Sequence, residues 1–256
     1  MTHAPQDPAV LYLDADLPPA VLVDRAAPAL AALMAGVGGI WCDARHSDLE
    51  RDADGVVRVW HPRQGTTPAM PAAPNKGHSR LGPQGLLLNT GVNCGFALEG
   101  AVPDAACLSF AVLYHSGGAD IRTLLSVNLH AAKNYLFLYE QEGTLGLKDQ
   151  ANNGTLERPA AGAGIKLVTG GLSDRRLFLR QNTGPVQSVA VPGLEMAGTA
   201  DLFIGCRSHR DGLLKTLGQG AIAAVFLWPG LNVLDAGSAT AVAQLRALDA
   251  WRFWDA

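Results

Sequence analysis

Residues 108–148 read LSFAVLYHSGGADIRTLLSVNLHAAKNYLFLYEQEGTLGLK, and the spacing of their apolar side chains constrains the fold more than any other stretch. Leu108, Phe110, Val112 and Tyr114 take alternate positions. The pattern recurs over Leu124, Leu125 and Val127, and again over Leu136, Leu138, Leu145 and Leu147, with Glu142-Gly143 as a two-residue link. A period of two bounded by turn residues predicts antiparallel strands with one face on a core. Downstream segments continue the train: 177–182, 201–205, and 220–228 with Ile222, Ala224, Phe226 and Trp228 on one face.

At 256 residues, with 48% hydrophobic and 17% charged side chains, the chain can bury a large core, and 29 Gly and 15 Pro suit many short strands with tight turns. A net charge of −3 with scattered Lys and Arg argues against nucleic acid as a partner. No stretch has the roughly 18 consecutive apolar residues of a bilayer span, and MTHAPQDPAV has neither part of a secretion signal. The expectation is a protein made in the cytoplasm without a signal peptide and without a membrane partner. Cys42, Cys94, Cys107 and Cys206 form no CxxC pair and stand in apolar contexts, which predicts buried free thiols rather than a zinc site or a disulfide framework.

Residues 1–23, rich in Pro, Ala and Asp, read as an arm, with residues 10–13 its one strand-like fragment. Within 25–37, Leu30, Leu33, Met34 and Val37 fall at i, i+3, i+4 and i+7, with Pro28 in the opening turn and Gly38-Gly39 at the exit. That is a short amphipathic helix, whose stripe serves either its own domain or an assembly contact. These elements divide the chain into an arm and helix, 1–38, and a main domain, 39–256. A second helix is expected from about Ser238 to Leu248, capped by Ser238.

Trp41, Asp43, Ala44, Asp54-Gly55, Val59-Trp60 and Gly65 occur in an order that resembles the opening of concanavalin A-like, laminin G-like domains of bacteria and their phages. This chain has His61-Pro62-Arg63-Gln64-Gly65 where the family usually has an Asp two residues after the second Trp. The central strands, the segment ending in Asn182, the strand ending in Ile204-Gly205 and the closing helix with Trp251 and Trp254 extend the resemblance over 39–256. It implies an all-β fold, a two-sheet antiparallel jelly-roll sandwich with a short N-terminal helix and a C-terminal helix.

Jelly-roll glucanases carry Glu-x-Asp-x-x-Glu on one strand, where alternate residues share a face and two carboxyls divide the acid and nucleophile roles. That pattern is absent among the chain's six Glu. A lyase would draw on Tyr114, His115, Arg122, His130 and Tyr139. The acidic run Asp48, Glu50, Asp52, Asp54 lacks the Glu that closes a calcium loop, having His61 there, and reads as a solvated turn. Asp149, Asn152 and Asn153 form a second cluster that would hold calcium, the other reading of Asn152-Asn153-Gly154 being a tight turn.

A sugar needs an aromatic face with amide or charged partners beside it. Tyr135, Asn134 and His130, with His115, Asp120 and Arg122 from the preceding loop, are the candidate carbohydrate-binding residues. Trp41, Trp60, Trp228, Trp251 and Trp254 read as core and closure residues, and His46, His78 and His209 as surface residues.

The family resemblance and the missing carboxylate motif lead to three expectations. The first is a non-enzymatic head spike, fibre or tail accessory protein of a phage or gene transfer agent, which binds cell-surface polysaccharide, acts as an oligomer and joins other particle proteins through Leu30, Leu33, Met34 and Val37. The second is a purely structural decoration or adaptor subunit. The third is a polysaccharide lyase or hydrolase.

Overall fold

The computed structural model describes residues 26–45, 48–117, 120–131, 134–151 and 153–254, with side chains to residue 251. The strand-like fragment at 10–13, His46, Asn152 and the side chain of Trp254 lie outside the described residues. The chain opens with α1 (Ala26–Ala35), β1 (Ile40–Asp43), a hairpin of β2 (Leu49–Arg51) and β3 (Val57–Trp60), then β4 (Met70–Pro71), β5 (Leu81–Gly82) and β6 (Gly85–Leu88). The long core strands follow: β7 (Phe96–Val102), β8 (Leu108–His115), β9 (Arg122–Leu129), β10 (Tyr135–Gln141) and β11 (Thr144–Asp149). The remainder comprises β12 (Thr155–Pro159), β13 (Ile165–Ser173), β14 (Arg176–Gln181), β15 (Gln187–Ala190), β16 (Ala200–Ile204), β17 (Gly220–Pro229) and α2 (Ala239–Trp254).

These strands form the expected sandwich of two antiparallel sheets. The eight-stranded sheet runs β15-β14-β13-β8-β17-β6-β5, with β1 also on β17; the seven-stranded sheet runs β12-β11-β10-β9-β16-β7-β4. Leu108, Phe110, Val112 and Tyr114 of one sheet and Leu125, Val127, Leu136, Leu138, Leu145 and Leu147 of the other are buried in one core cluster between them. Period-two alternation placed both sets, because one face of each strand has no water to meet. Glu142 and Gly143 take φ of 52° and 72°, the two positive values that a tight hairpin between β10 and β11 requires.

A second cluster covers the outer face of the eight-stranded sheet. Leu30 and Met34 of α1 meet Trp41, Ala111, Leu113, Phe226 and Trp228, and Leu248 and Trp251 of α2 complete the layer. Trp41 stacks on Phe226 at 5.4 Å and meets Trp251 edge-on at the same distance. Gln244 joins three elements: it accepts from Trp228 Nε1 at 3.0 Å and donates to the Leu33 carbonyl at 2.7 Å. Ser238 Oγ accepts from Ala241 N–H at 3.2 Å and caps α2 as expected. Leu30 and Met34 are therefore occupied by their own sandwich and unavailable to a partner, a correction to the assembly-contact expectation; Leu33 stays exposed and Val37 packs partly against the same layer.

Among the described residues the sequence's other core readings are in place. Trp41, Trp60, Trp228 and Trp251 have no exposed surface, and the four cysteines are free, Cys107 being half-buried and the others buried. Neither described helix is long and apolar enough to cross a membrane.

Candidate functional site

With α1 and α2 over one sheet, the outer face of the seven-stranded sheet is the one left without helices. Cross-strand register puts Tyr135 opposite Asn128 and Asn128 opposite Asp201; the next row is Phe137, Ser126 and Phe203. Tyr135, Phe137 and Tyr139 form an aromatic row down β10, with successive ring centroids 5.6 Å apart. Phe137 is only 3% exposed, because the Arg207 guanidinium lies 3.8 Å above its centroid and Lys148 Nζ comes within 5.5 Å. Tyr135 is half-exposed and presents the open ring of the row.

Tyr139 lies across Gly146 of β11, where a Cβ would come within 2.3 Å of its ring. Its hydroxyl donates to Glu157 Oε1. Burial, and then the Glu157 hydrogen bond and charge, hold the phenol well above its ordinary 10.0, so it remains a donor.

Two carboxylates stand on this face where β7 and β16 pair. Asp201 Oδ1 accepts from Gly100 N–H at 2.7 Å and lies 2.7 Å from His130 Nε2. Glu99 shares the face, since His209 Nε2 lies 3.6 Å from Glu99 Oε1 while its ring meets Phe203 edge-on at 5.0 Å. Ala73 N–H donates to His209 Nδ1 at 2.9 Å, which places the ring proton of a neutral His209 on Nε2, toward Glu99. The pairing shifts between Ala200 and Leu202, which sets Asp201 opposite the stretch that includes Glu99 and Gly100.

The six carbohydrate candidates do not form one cluster. His130, Asn134 and Tyr135 gather at one end of this helix-free face, where Asn134 Oδ1 accepts from Tyr135 N–H at 3.0 Å. Asp120 and Arg122 lie at the other end of β9, about 24 Å away for a strand of this length. There Asp120 Oδ1 accepts from Glu142 N–H at 2.7 Å. His115, at the end of β8, lines a separate pocket with Ser116, Gly117 and Gln219. Chain proximity misled here because β9 carries the backbone across the whole sheet between the two halves of the set.

Of the calcium candidates, Asp149 and Asn153 hydrogen-bond to each other. Asp149 is fully buried, its Oδ2 accepting from Asn153 Nδ2 at 2.9 Å and its Oδ1 from Gly154 N–H at 3.1 Å. Asp52 likewise closes the β2–β3 turn: its Oδ1 accepts from the Asp54 and Val56 N–H groups and its Oδ2 from Arg58. The Val56 N–H holds its carboxyl below the usual range, and Arg58 adds to this. No group of three or more His, Cys, Asp or Glu among the described residues could hold a metal ion.

Inside the sandwich, Lys166 Nζ bonds Glu140 Oε1 at 2.6 Å and Ser116 Oγ at 3.1 Å, and the Tyr114 hydroxyl donates to Glu140 Oε2. Lys166 and Glu140 are 2% and 6% exposed and come from opposite sheets. The sequence reading passed over both, and also over Glu99 and Asp201, because each pair is made by strands far apart in the chain.

No protein-family model matches the sequence, and no curated protein matches it. Solved structures do. Trypanosoma rangeli sialidase in complex with sialic acid superposes with a TM-score of 0.58 at 14% identity, over 90% of this chain and 38% of that one. The same enzyme with 2,3-difluorosialic acid, as a covalent intermediate, gives 0.57 at 14% identity, over 89% and 38%. The likeness is one of fold. This chain spans little more than a third of the length of those sialidase chains. The expectation of a non-enzymatic particle protein is corrected at this point: the solved structures just named are sialidases, and the phage or gene transfer agent context has no support from them.

Proposed function

We propose that this chain is a glycoside-cleaving β-sandwich, concanavalin A-like in its jelly roll, whose substrate lies on the helix-free face of the seven-stranded sheet, beside the 205–219 segment that covers its middle. In this reading residues 39–256 form the sandwich, and the segment before them supplies α1 as the cover of the opposite face. The fold shared with sialidases supports a role on glycans.

The observation that carries the reading is the Glu99–Asp201 pair. Asp201 stands opposite the stretch that includes Glu99, on the adjacent strand and the same face. Retaining and inverting hydrolysis use two carboxyl groups roughly 5–9.5 Å apart, and a pair drawn from adjacent strands of one face is the arrangement that can supply them. Glu99, largely exposed and met by one histidine, is the group free to carry a proton to the glycosidic oxygen as the bond to the anomeric carbon breaks. Asp201, fixed by Gly100 and His130, is the carboxylate that attacks the anomeric carbon or activates the water that does so. Tyr135, two strands from Asp201, offers the ring on which the sugar rests.

The test is release of the aglycone or reducing sugar from a panel of aryl glycosides and oligosaccharides, sialosides among them. Glu99→Gln and Asp201→Asn are each expected to lower kcat at least about 100-fold, and Tyr135→Ala to raise KM with a smaller change in kcat. A folded protein that cleaves nothing on the panel, or variants as active as the wild type, would overturn the reading.

A further inference from the structure

Beside Tyr135 the segment between β16 and β17, residues 205–219, folds back over the sheet. It is a built wall. Asn93 Nδ2 donates to the Arg210 carbonyl at 2.8 Å, Asn128 Nδ2 to the Arg207 carbonyl at 2.7 Å, and Thr123 Oγ1 to the Thr216 carbonyl at 2.7 Å. Between this wall and Tyr135 lies a pocket of about 220 Å³. Three cations line it, Arg207, Arg210 and Lys215, with Ser208 and Thr216 as hydroxyl partners, and its lining contains no Asp or Glu.

The three cations form no ion pair among the described residues; the nearest acid in sequence, Asp211, is taken by Lys76 at 2.7 Å. Arg207 is held ready. Its Nε donates to Thr123 Oγ1 at 3.1 Å and its guanidinium rests on Phe137, so the group is held in place at the pocket's wall. A guanidinium fixed in this way matches the two oxygens of a carboxylate or sulfate. The pocket is smaller than the roughly 300–1,000 Å³ of sites that enclose a whole drug-sized ligand, so it suits one substituent or one sugar unit. Because the chain carries a net charge of −3, anions gain no attraction from the molecule at large, and this concentration of positive charge is local.

We propose that the pocket binds the anionic substituent, carboxylate or sulfate, of an acidic glycan whose next ring lies on Tyr135. The proposal rests on the glycan-directed reading of the same face and adds its substrate class.

Calorimetric titration of the whole chain with three probes of equal length tests it: an oligogalacturonide, which carries only carboxylates, a carrageenan oligosaccharide, which carries only sulfates, and a neutral galacto-oligosaccharide. At least one acidic probe should bind about tenfold or more tightly than the neutral one. Arg207→Gln should remove that preference, and raising salt from about 0.05 to about 0.5 M should weaken the acidic probe alone. Arg210→Gln with Lys215→Gln, on the exposed loop where folding is not at stake, should remove most of it as well. Which acidic probe wins identifies the substituent. Neutral and acidic probes bound equally, or a preference that survives both sets of substitutions, would overturn this proposal while leaving a glycan-directed face; no binding to any of the three would overturn both.

Discussion

Cysteine reports the interior of this molecule. Burial pushes the Cys206 thiol from its ordinary 9.0 up to about 12, and burial followed by the charges of Asp43 and Asp48 raises Cys42 further. A raised value means that the folded chain holds these protons longer than the unfolded one. The stability they contribute is whole below about pH 9 and is lost as pH climbs toward the folded values. Urea midpoints should therefore fall between about pH 9 and 11, and fall less in the Cys42→Ala, Cys206→Ala double variant; a midpoint flat over that range would contradict the burial. At about pH 8 an aromatic disulfide reagent should reach Cys107 alone in the native protein, and all four thiols in denaturant. Cys42 and the tryptophans Trp41, Trp60, Trp228 and Trp251 were legible from an apolar neighbour one residue away. Glu99, Asp201 and Arg207 were not, since nothing within ten residues of each marks the partner that gives it a role.

Strands were legible where the alternation is clean, as in β8 to β11 and β17, and the helices from the apolar spacing and Pro28 of the first and the Ser238 cap of the second; β7 and β13, which put Phe96, Leu98, Val168 and Leu172 into the core, were not read. What periodicity could not reveal is a polar residue written into an apolar position. Glu140 continues the inward series of Leu136 and Leu138, and Lys166 stands where β13 faces the core beside Tyr114. Their pairing ties β10 of one sheet to β8 and β13 of the other. Removing one partner leaves a buried charge without compensation, which typically costs about 3–5 kcal/mol. Lys166→Met should lower unfolding stability by that amount in urea titration. Adding Glu140→Gln should recover a good part of it, because the amide keeps an acceptor for the Tyr114 hydroxyl and carries no charge. A loss under about 1 kcal/mol for the single variant, or a double variant no better than the single, would show that the pair does not bind the sheets together.

At the scale of the whole molecule the sandwich separates two tasks by face. Leu30 and Met34 of α1 seal Trp41 and Phe226 on the eight-stranded sheet, while Tyr135, Asp201 and Arg207 stand on the far side of the other sheet, with the full thickness of the core between. Stacked sheets lie about 10 Å apart, and no side chain of α1 spans that distance to the site. Deleting residues 1–38 should therefore expose the aromatic cluster, lower the melting temperature and promote association, since an uncovered apolar patch of that kind seeks a partner. Glycan affinity per folded molecule should be unchanged, as measured by calorimetry below the new melting temperature. If affinity fell in step with the deletion while the fold persisted, the two faces would be coupled through the core, and the amphipathic helix would have to be counted among the elements that shape the site.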